Sequence, residues 1–182
     1  KGNSFSSNSY QGSSVTMRHS SDTLVFEDNY LSYSQDASVF HSFSLLQSTF
    51  GNLKNNTIEG TQLRVSNIDS IISNRFFGVE NDNALYVYSG SSFIANNYIS
   101  LGGALESAGL YVRDLSGVKI VNNSIENIGT SGSSYALKVE GGATNITVKN
   151  NIFSTKNGGV PVLVPSALTN PDWDYNCYYT TG

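Results

Sequence analysis

The side chains best suited to chemistry alternate with apolar residues in several short stretches, such as Leu63-x-Val65 and Leu110-x-Val112. A period of two predicts β-strands whose leucine and valine point inward while the residues between and beside them point outward. These outward residues are Thr16, Arg18, Arg64, Ser66, Tyr86, Tyr88, Tyr111, Arg113, Lys138 and Glu140. Tyrosine rings stack on the apolar faces of sugars, and arginine binds carboxylates through two hydrogen bonds.

This outward set predicts a carbohydrate-binding face. The candidate binding residues are Arg64, Tyr86, Tyr88, Tyr111, Arg113, Lys138 and Glu140. The alternative is an ordinary solvated sheet surface, because tyrosine, arginine and lysine are common on exposed strands. Both interpretations remain open at the level of sequence.

The sequence gives no sign of a metal or cofactor site. The single cysteine, Cys177, cannot form an internal disulfide and has no cysteine or closely spaced histidine pair around it. The only acid on the outward face is Glu140, with Asp114 one position beyond Arg113, which does not predict calcium. We therefore expect no metal and no cofactor, with calcium left open as an alternative that the sequence does not indicate. We interpret Cys177 as a small residue packed near the C-terminal end.

Composition narrows the class of protein and its partners. The 182 residues include 29 serines, 21 asparagines and 17 glycines, but 38% are hydrophobic, which indicates an ordered, turn-rich β protein. The net charge is −4 and the ten basic residues are scattered singly, so neither nucleic acid nor an anionic membrane is an expected partner. The longest apolar stretches have about five residues, against roughly 20 needed to span a bilayer, so we expect no membrane insertion.

A repeat predicts the elements that position the outward face. An asparagine, any residue and an apolar residue recur at Asn3-Ser4-Phe5, Asn29-Tyr30-Leu31, Asn56-Thr57-Ile58, Asn97-Tyr98-Ile99, Asn123-Ser124-Ile125, Asn151-Ile152-Phe153 and Asn176-Cys177-Tyr178, with Arg75-Phe76-Phe77 filling the one gap. Five residues before each closing residue from Leu31 onward lies another apolar residue: Phe26, Leu53, Ile72, Ile94, Ile120, Val148 and Trp173. The alternating pairs lie further upstream, at Val15-x-Met17, Leu63-x-Val65, Leu85-x-Val87, Leu110-x-Val112, Leu137-x-Val139 and Val162-x-Val164.

Each repeat therefore predicts three very short strands, which bury their apolar faces only by stacking on the equivalent strands of the next repeat. The expected fold is an all-β solenoid of about seven coils. The asparagines, Asn123 among them, are expected at bends with positive φ, where their side chains form a hydrogen-bonded ladder. We predict a single domain over residues 1–182 that is a fragment or mature part of a longer polypeptide, because the sequence begins at Lys1 with no signal peptide.

The stretch from Leu110-Tyr-Val112 through Val118-Lys-Ile120, Asn122-Asn123 and Ser124-Ile125 resembles one complete coil of the right-handed, single-stranded parallel β-helix proteins of the pectate-lyase-like superfamily. The final coil, Asp174 to Tyr179, is similar to those of secreted bacterial β-helix domains. The resemblance implies a secreted or cell-surface bacterial protein with flanking domains, and a polysaccharide ligand, usually acidic, along the outward face of the first strands.

The enzymes of this superfamily supply the alternative function. The Asn-Thr-Asp, Asp-Asp and Gly-His-Gly elements of its polygalacturonase-type hydrolases and the Asp-Pro-His element of its epimerases do not occur in the sequence, and His19 and His41 have no evident partner. Some calcium-assisted lyases use a lysine base and an arginine acid, which makes Lys138 and Arg113 the two catalytic candidates; both would need strongly shifted pKa values. We therefore expect a noncatalytic module that binds polysaccharide or acts as a spacer, with a polysaccharide lyase or glycoside hydrolase as the alternative.

Overall fold

The computed structural model describes residues 4–7, 15–19, 24–33, 42–47, 51–90, 92–164, 168 and 171–182. In this part of the chain all regular structure is β, and no helix is long and apolar enough to cross a membrane. The strands are β1 (Ser4–Ser7), β2 (Val15–His19), β3 (Leu24–Glu27), β4 (Tyr30–Tyr33), β5 (Ser42–Gln47), β6 (Gly51–Lys54), β7 (Thr57–Glu59), β8 (Gln62–Ser66), β9 (Ser70–Ile72), β10 (Arg75–Glu80), β11 (Leu85–Tyr88), β12 (Phe93–Ala95), β13 (Tyr98–Gly102), β14 (Ser107–Arg113), β15 (Lys119–Val121), β16 (Ser124–Asn127), β17 (Ser134–Glu140), β18 (Thr147–Lys149), β19 (Ile152–Thr155), β20 (Val160–Leu163), β21 (Asp172–Asp174) and β22 (Cys177–Thr180).

The strands form three parallel sheets, and successive strands along the chain belong to different sheets. Sheet 1 has the order β2-β5-β8-β11-β14-β17-β20, sheet 2 runs from β3 to β21 through every third strand, and sheet 3 runs likewise from β1 to β22. Each strand inside a sheet is thus hydrogen-bonded to its equivalents one coil before and one coil after. The predicted all-β parallel solenoid is confirmed.

The core consists of apolar columns that run through the coils in register. Sheet 1 contributes Leu63, Leu85, Leu110 and Leu137 at one level of successive strands, and all four are fully buried. Sheets 2 and 3 contribute further columns, which include Ile94 and Ile120 in sheet 2 and Ile99 and Ile125 in sheet 3. A strand of three to five residues buries few atoms, so most of its stabilisation comes from neighbouring coils.

A second column, made of asparagine side chains, lies at the two-residue bend between sheets 2 and 3. Its members are Asn29, Asn56, Asn74, Asn97, Asn123, Asn151 and Asn176. At each step the backbone N–H and the side-chain Nδ2 of one asparagine donate to Oδ1 of the next, as in the 3.0 and 2.9 Å bonds from Asn97 to Asn123. Each buried amide therefore connects its own coil with the following one.

The residue before each column asparagine has the positive φ that makes the bend. The φ angles at this position are 55° at Asn55, 57° at Ser73 and 56° at Asn122. The expectation that Asn123 itself has positive φ is therefore wrong: the left-handed conformation belongs to the exposed residue before it, and Asn123 is 2% exposed. Asparagine is common at both positions for different reasons, since it tolerates positive φ at the first and hydrogen-bonds at the second.

The repeat has no gap at its fourth member, because Asn74 occupies the column and the unit reads Asn74-Arg75-Phe76. The core residues of this coil are accordingly Phe76 and Ile71, both fully buried, and the predicted Phe77 and Ile72 are displaced by one position. Ile71 and Ile72 are adjacent apolar residues, as are Phe76 and Phe77, so the sequence is compatible with either member of each pair in the core.

Other details also differ from the prediction. Val164 follows the end of β20 and is 38% exposed, so it does not form an inward pair with Val162. Phe43 and Leu45, which the pairs omitted, are buried on β5 in register with Leu63 and Val65. Asn3 and His41 lie outside the described residues, as do the side chains of Val15, Thr16, Met17, Arg18 and His19.

The asparagine column predicts a large loss of stability for a substitution at Asn123 and a small change for one at the neighbouring Asn122. Asn123→Ala removes the acceptor of the Asn97 amide and the donor to Ile94 O and Asn151 Oδ1, so we expect a loss of roughly 3 kcal/mol in the free energy of unfolding. Asn122→Gly should change it by less than about 1 kcal/mol, because glycine accepts positive φ without strain. Denaturant unfolding of both variants measures the difference, and equal effects would contradict this description of the bend.

Candidate functional site

The outward residues of four consecutive strands of sheet 1 form one continuous surface. Arg64 on β8, Tyr86 on β11, Tyr111 on β14 and Lys138 on β17 are paired in register, so their side chains follow one line along the solenoid axis. A second line two residues further along the strands holds Tyr88, Arg113 and Glu140. We call these seven residues the tyrosine face. They are all the carbohydrate-binding candidates that the sequence predicts, and the fold brings them together.

The two central tyrosines are stacked on each other. The ring centroids of Tyr86 and Tyr111 are 4.7 Å apart and the ring planes differ by 11°. On the coils beyond them, Arg64 Cζ lies 5.1 Å from the centre of the Tyr86 ring and Lys138 Nζ lies 5.1 Å from that of Tyr111. Each ring therefore has a neighbour on both sides, and the faces that a sugar would stack on are already occupied.

Tyr88 extends this arrangement sideways. Its ring centroid is 5.2 Å from that of Tyr86, the planes are tilted by 35°, and Arg64 Cζ lies 5.9 Å from its centre. Ser66, predicted to point outward, is buried. The surface available to a ligand therefore consists mainly of ring edges, hydroxyl groups and charged side chains.

Lys138 is the centre of an ionic network. Its Nζ lies 2.6 Å from Glu106 Oε1 and 2.9 Å from Glu140 Oε1, and Glu140 also accepts a 2.5 Å hydrogen bond from the Tyr111 hydroxyl. The lysine side chain is only 13% exposed, whereas those of Glu106 and Glu140 are 56% and 40% exposed. The lysine is thus enclosed, and its two carboxylates reach the solvent.

The pKa values of this network follow from its contacts. Burial raises the pKa of Tyr111 to about 12, and the hydrogen bond to Glu140 adds to this effect. Burial disfavours the ammonium of Lys138, but the hydrogen bonds to Glu106 and Glu140 outweigh it and raise the lysine pKa to about 12. The hydrogen bonds from Tyr111 and Lys138 lower the pKa of Glu140. All three groups are held in their ordinary charge states at neutral pH.

These values bear on the two catalytic candidates. A lysine that acts as a general base needs a pKa lowered toward neutrality, whereas the pKa of Lys138 is shifted in the opposite direction. A hydrogen bond with Tyr86 raises the pKa of Arg113, which makes the release of a proton harder. The raised pKa values indicate that Lys138 and Arg113 are permanently charged side chains. They do not favour a base role for Lys138 or an acid role for Arg113.

The remaining charges near the face are also paired. Arg113 Nε lies 3.3 Å from Asp114 Oδ2, and both side chains are about half exposed. Asp82, in the turn before β11, accepts a 2.6 Å hydrogen bond from Gln62 Nε2, and burial raises its pKa, an effect that Asn83 and the nearby charge of Arg64 oppose. Among the described residues no group of three or more histidine, cysteine, aspartate or glutamate side chains is arranged to hold a metal ion.

Glu106, Asp82 and Tyr135 were missed in the sequence. Tyr135 lies on β17 with its ring centre 5.6 Å from Lys138 Nζ, outside the alternating pair of that strand. Asp82 and Glu106 belong to the turns that precede β11 and β14 of sheet 1. In these turns no periodicity indicates whether a side chain points inward or outward. The signal that would have pointed to them is an acid a few residues before an alternating pair. Cys177, interpreted as a packed residue, is instead exposed, so that interpretation is wrong.

Comparison with known families agrees with this architecture. Residues 43–170 match the family described as right-handed β-helix region, so the chain belongs to that family. The matched stretch holds about five complete turns, β5 to β19, fewer than the seven or so coils predicted for the whole chain; the strands before β5 and after β20 lie outside it. A search of curated proteins found no match. The wider resemblance to pectate-lyase-like proteins stays a prediction.

The ionic network predicts a pH dependence of stability with two limits. The pKa of Glu140 is lowered from 4.5, so its contribution is present above pH 4.5 and is lost as the pH falls through the lower folded pKa. The pKa of Tyr111 is raised from 10.0 to about 12, so the contribution of its neutral hydroxyl is full below pH 10 and is lost as the pH rises through about 12.

Glu140→Gln tests the link between the two groups. Removal of the carboxylate charge should lower the pKa of Tyr111, although not to 10, because burial is the larger cause of the shift. The tyrosinate absorbance follows the titration, and Tyr111→Phe identifies the signal. The control is Glu106→Gln, which changes a contact of Lys138 but none of Tyr111. A Tyr111 pKa that stays at about 12 in Glu140→Gln would contradict the assigned hydrogen bond.

Proposed function

We propose that this β-helix domain is a noncatalytic module that binds polysaccharide along its tyrosine face, outside the cell or on its surface. The observation that carries the proposal is the alignment of Arg64, Tyr86, Tyr111 and Lys138 at one register position on four consecutive coils. A polymer that runs along the solenoid axis meets one long, polar-tipped side chain at each rung, and the rungs are about 4.8 Å apart. An extended ligand fits this arrangement better than a compact one.

The contacts offered to such a ligand are polar. Glu106 and Glu140 present half-exposed carboxylates that accept hydrogen bonds from sugar hydroxyls, and Arg113 presents a half-exposed guanidinium that donates them. The stacked rings of Tyr86 and Tyr111 supply a rigid floor rather than a free stacking face. This arrangement differs from the stacking mode expected from sequence, and it supports a mode in which hydrogen bonds at the rim of the rings hold the polysaccharide.

A spacer is the second candidate function, and a specific observation favours it. The ring faces are covered by each other and by Arg64 and Lys138, and the charges are paired, so the face is internally satisfied without any ligand. Together with the asparagine column, such a surface stiffens the rod. A stiff rod would separate flanking domains of a longer polypeptide.

Matched variants on two sheets test the binding proposal. We expect Arg113→Ala to weaken binding to a polysaccharide about tenfold, because a half-exposed hydrogen-bonding group at the rim of the stacked rings is lost. Arg75→Ala, at an exposed arginine on β10 of sheet 3, should leave binding unchanged. Calorimetric titration against a panel of soluble polysaccharides gives the affinities, and thermal unfolding checks that both variants fold.

The tyrosines provide a second matched pair. Tyr111→Ala removes the centre of the stack and should weaken binding by more than Tyr111→Phe, which keeps the ring and loses only the hydroxyl. Tyr98→Ala, at a 43% exposed tyrosine on sheet 3, is the control. If Arg75→Ala or Tyr98→Ala weakens binding instead, the site lies on another sheet. If no polysaccharide binds the unmodified domain, the spacer becomes the better description.

A further inference from the structure

We propose that the tyrosine face selects uncharged glycans and rejects polysaccharides that carry carboxylates or sulfates. This inference rests on the proposed function, and it names the class of ligand. The reason is that every cation on the described part of the face already has a carboxylate or aromatic partner within the protein, while the carboxylates of Glu106, Asp114 and Glu140 remain open to solvent.

Lys138, the cation at one end of the line of aligned side chains, is largely enclosed, with a side chain that is 13% exposed. Two carboxylate oxygens lie 2.6 and 2.9 Å from its Nζ, and aromatic rings lie on two further sides, at 5.1 Å for Tyr111 and 5.6 Å for Tyr135. An incoming carboxylate would have to displace Glu106 or Glu140 from the ammonium. That exchange replaces one charge-assisted hydrogen bond by another and leaves a protein carboxylate without its partner.

The two arginines are engaged as well. Arg113 contacts Asp114 through Nε, so the Asp114 carboxylate lies beside the fork that would otherwise receive a ligand carboxylate. Arg64 lies over the rings of Tyr86 and Tyr88 and is coupled to the charge of Asp82. Neither arginine provides a free cation comparable with those of an anion-binding groove.

The balance of charge on and beside the tyrosine face is negative. Three cations, Arg64, Arg113 and Lys138, are matched by four carboxylates, those of Asp82, Glu106, Asp114 and Glu140. The most exposed charged groups include Glu106 and Asp114, at 56% and 58% of their side-chain surface. A polyanion laid along this line would bring like charges together at successive coils, whereas hydroxyl groups would find acceptors.

The experiment compares ligands that differ only in charge. Each neutral polysaccharide of a panel is paired with the product of oxidising its C6 primary alcohols to carboxylates, and binding to the full chain is measured by calorimetry. We expect the neutral member to bind at least tenfold more tightly than its oxidised partner, with little dependence on salt. Equal or tighter binding of the oxidised member would overturn the inference while leaving the proposed function intact. Binding of neither member would overturn the proposed function itself.

A double variant provides a gain-of-function test. Glu106→Gln with Asp114→Asn removes two exposed negative charges and makes the balance on the face positive, so the oxidised polysaccharide should gain at least tenfold in affinity and lose that gain in high salt. The matched control, Glu126→Gln with Asp172→Asn, makes the same change in total charge on sheets 3 and 2. Thermal unfolding verifies folding. An equal gain in the control would show that the charge of the whole domain sets the preference and would overturn the inference.

Discussion

The structure depends on the register between one coil and the next. Parallel pairing alone fixes it weakly, because a strand of three or four residues makes few backbone hydrogen bonds and a shift by two positions would preserve its inward pattern. The asparagine column removes that freedom, since Oδ1 of Asn123 accepts from both the backbone and the side chain of Asn97 at one position only. Once the bend is fixed, the core columns of sheets 2 and 3 follow from the three residues on either side of it.

The outward side chains of the tyrosine face follow the same register as the core. Tyr86 lies beside Tyr111, and Tyr111 beside Lys138, because Leu85, Leu110 and Leu137 occupy one core column behind them. The turns between sheets 3 and 1 do not share this constraint: those before β8 and β17 have two and six residues, and acids within such turns, Glu106 and Asp82 among them, follow no period. Periodic residues form the floor of the face, and non-periodic residues set much of its charge.

The sequence was sufficient for the fold class and for the seven residues of the tyrosine face, because both follow from alternation and from a repeated asparagine. It failed where two neighbours had equivalent character: Phe76 and Phe77 are both apolar, and only the bonds of Asn74 to Asn56 and Asn97 decide which one enters the core. It also failed for contacts between different coils. The enclosure of Lys138 by Glu106 joins residues 32 positions apart, a separation that no strand or turn pattern encodes.

The hydrogen bonds that join one asparagine of the column to another all run in one direction, from each coil to the next. Asn56 donates to Asn74, Asn74 to Asn97, and so on to Asn176, so the amide dipoles add along the axis and polarise one another. A single amide cannot rotate by half a turn, because its NH₂ group would then face the donors of the preceding coil. All amides of the column therefore keep the same orientation. Their dipoles sum to a net dipole along the solenoid axis.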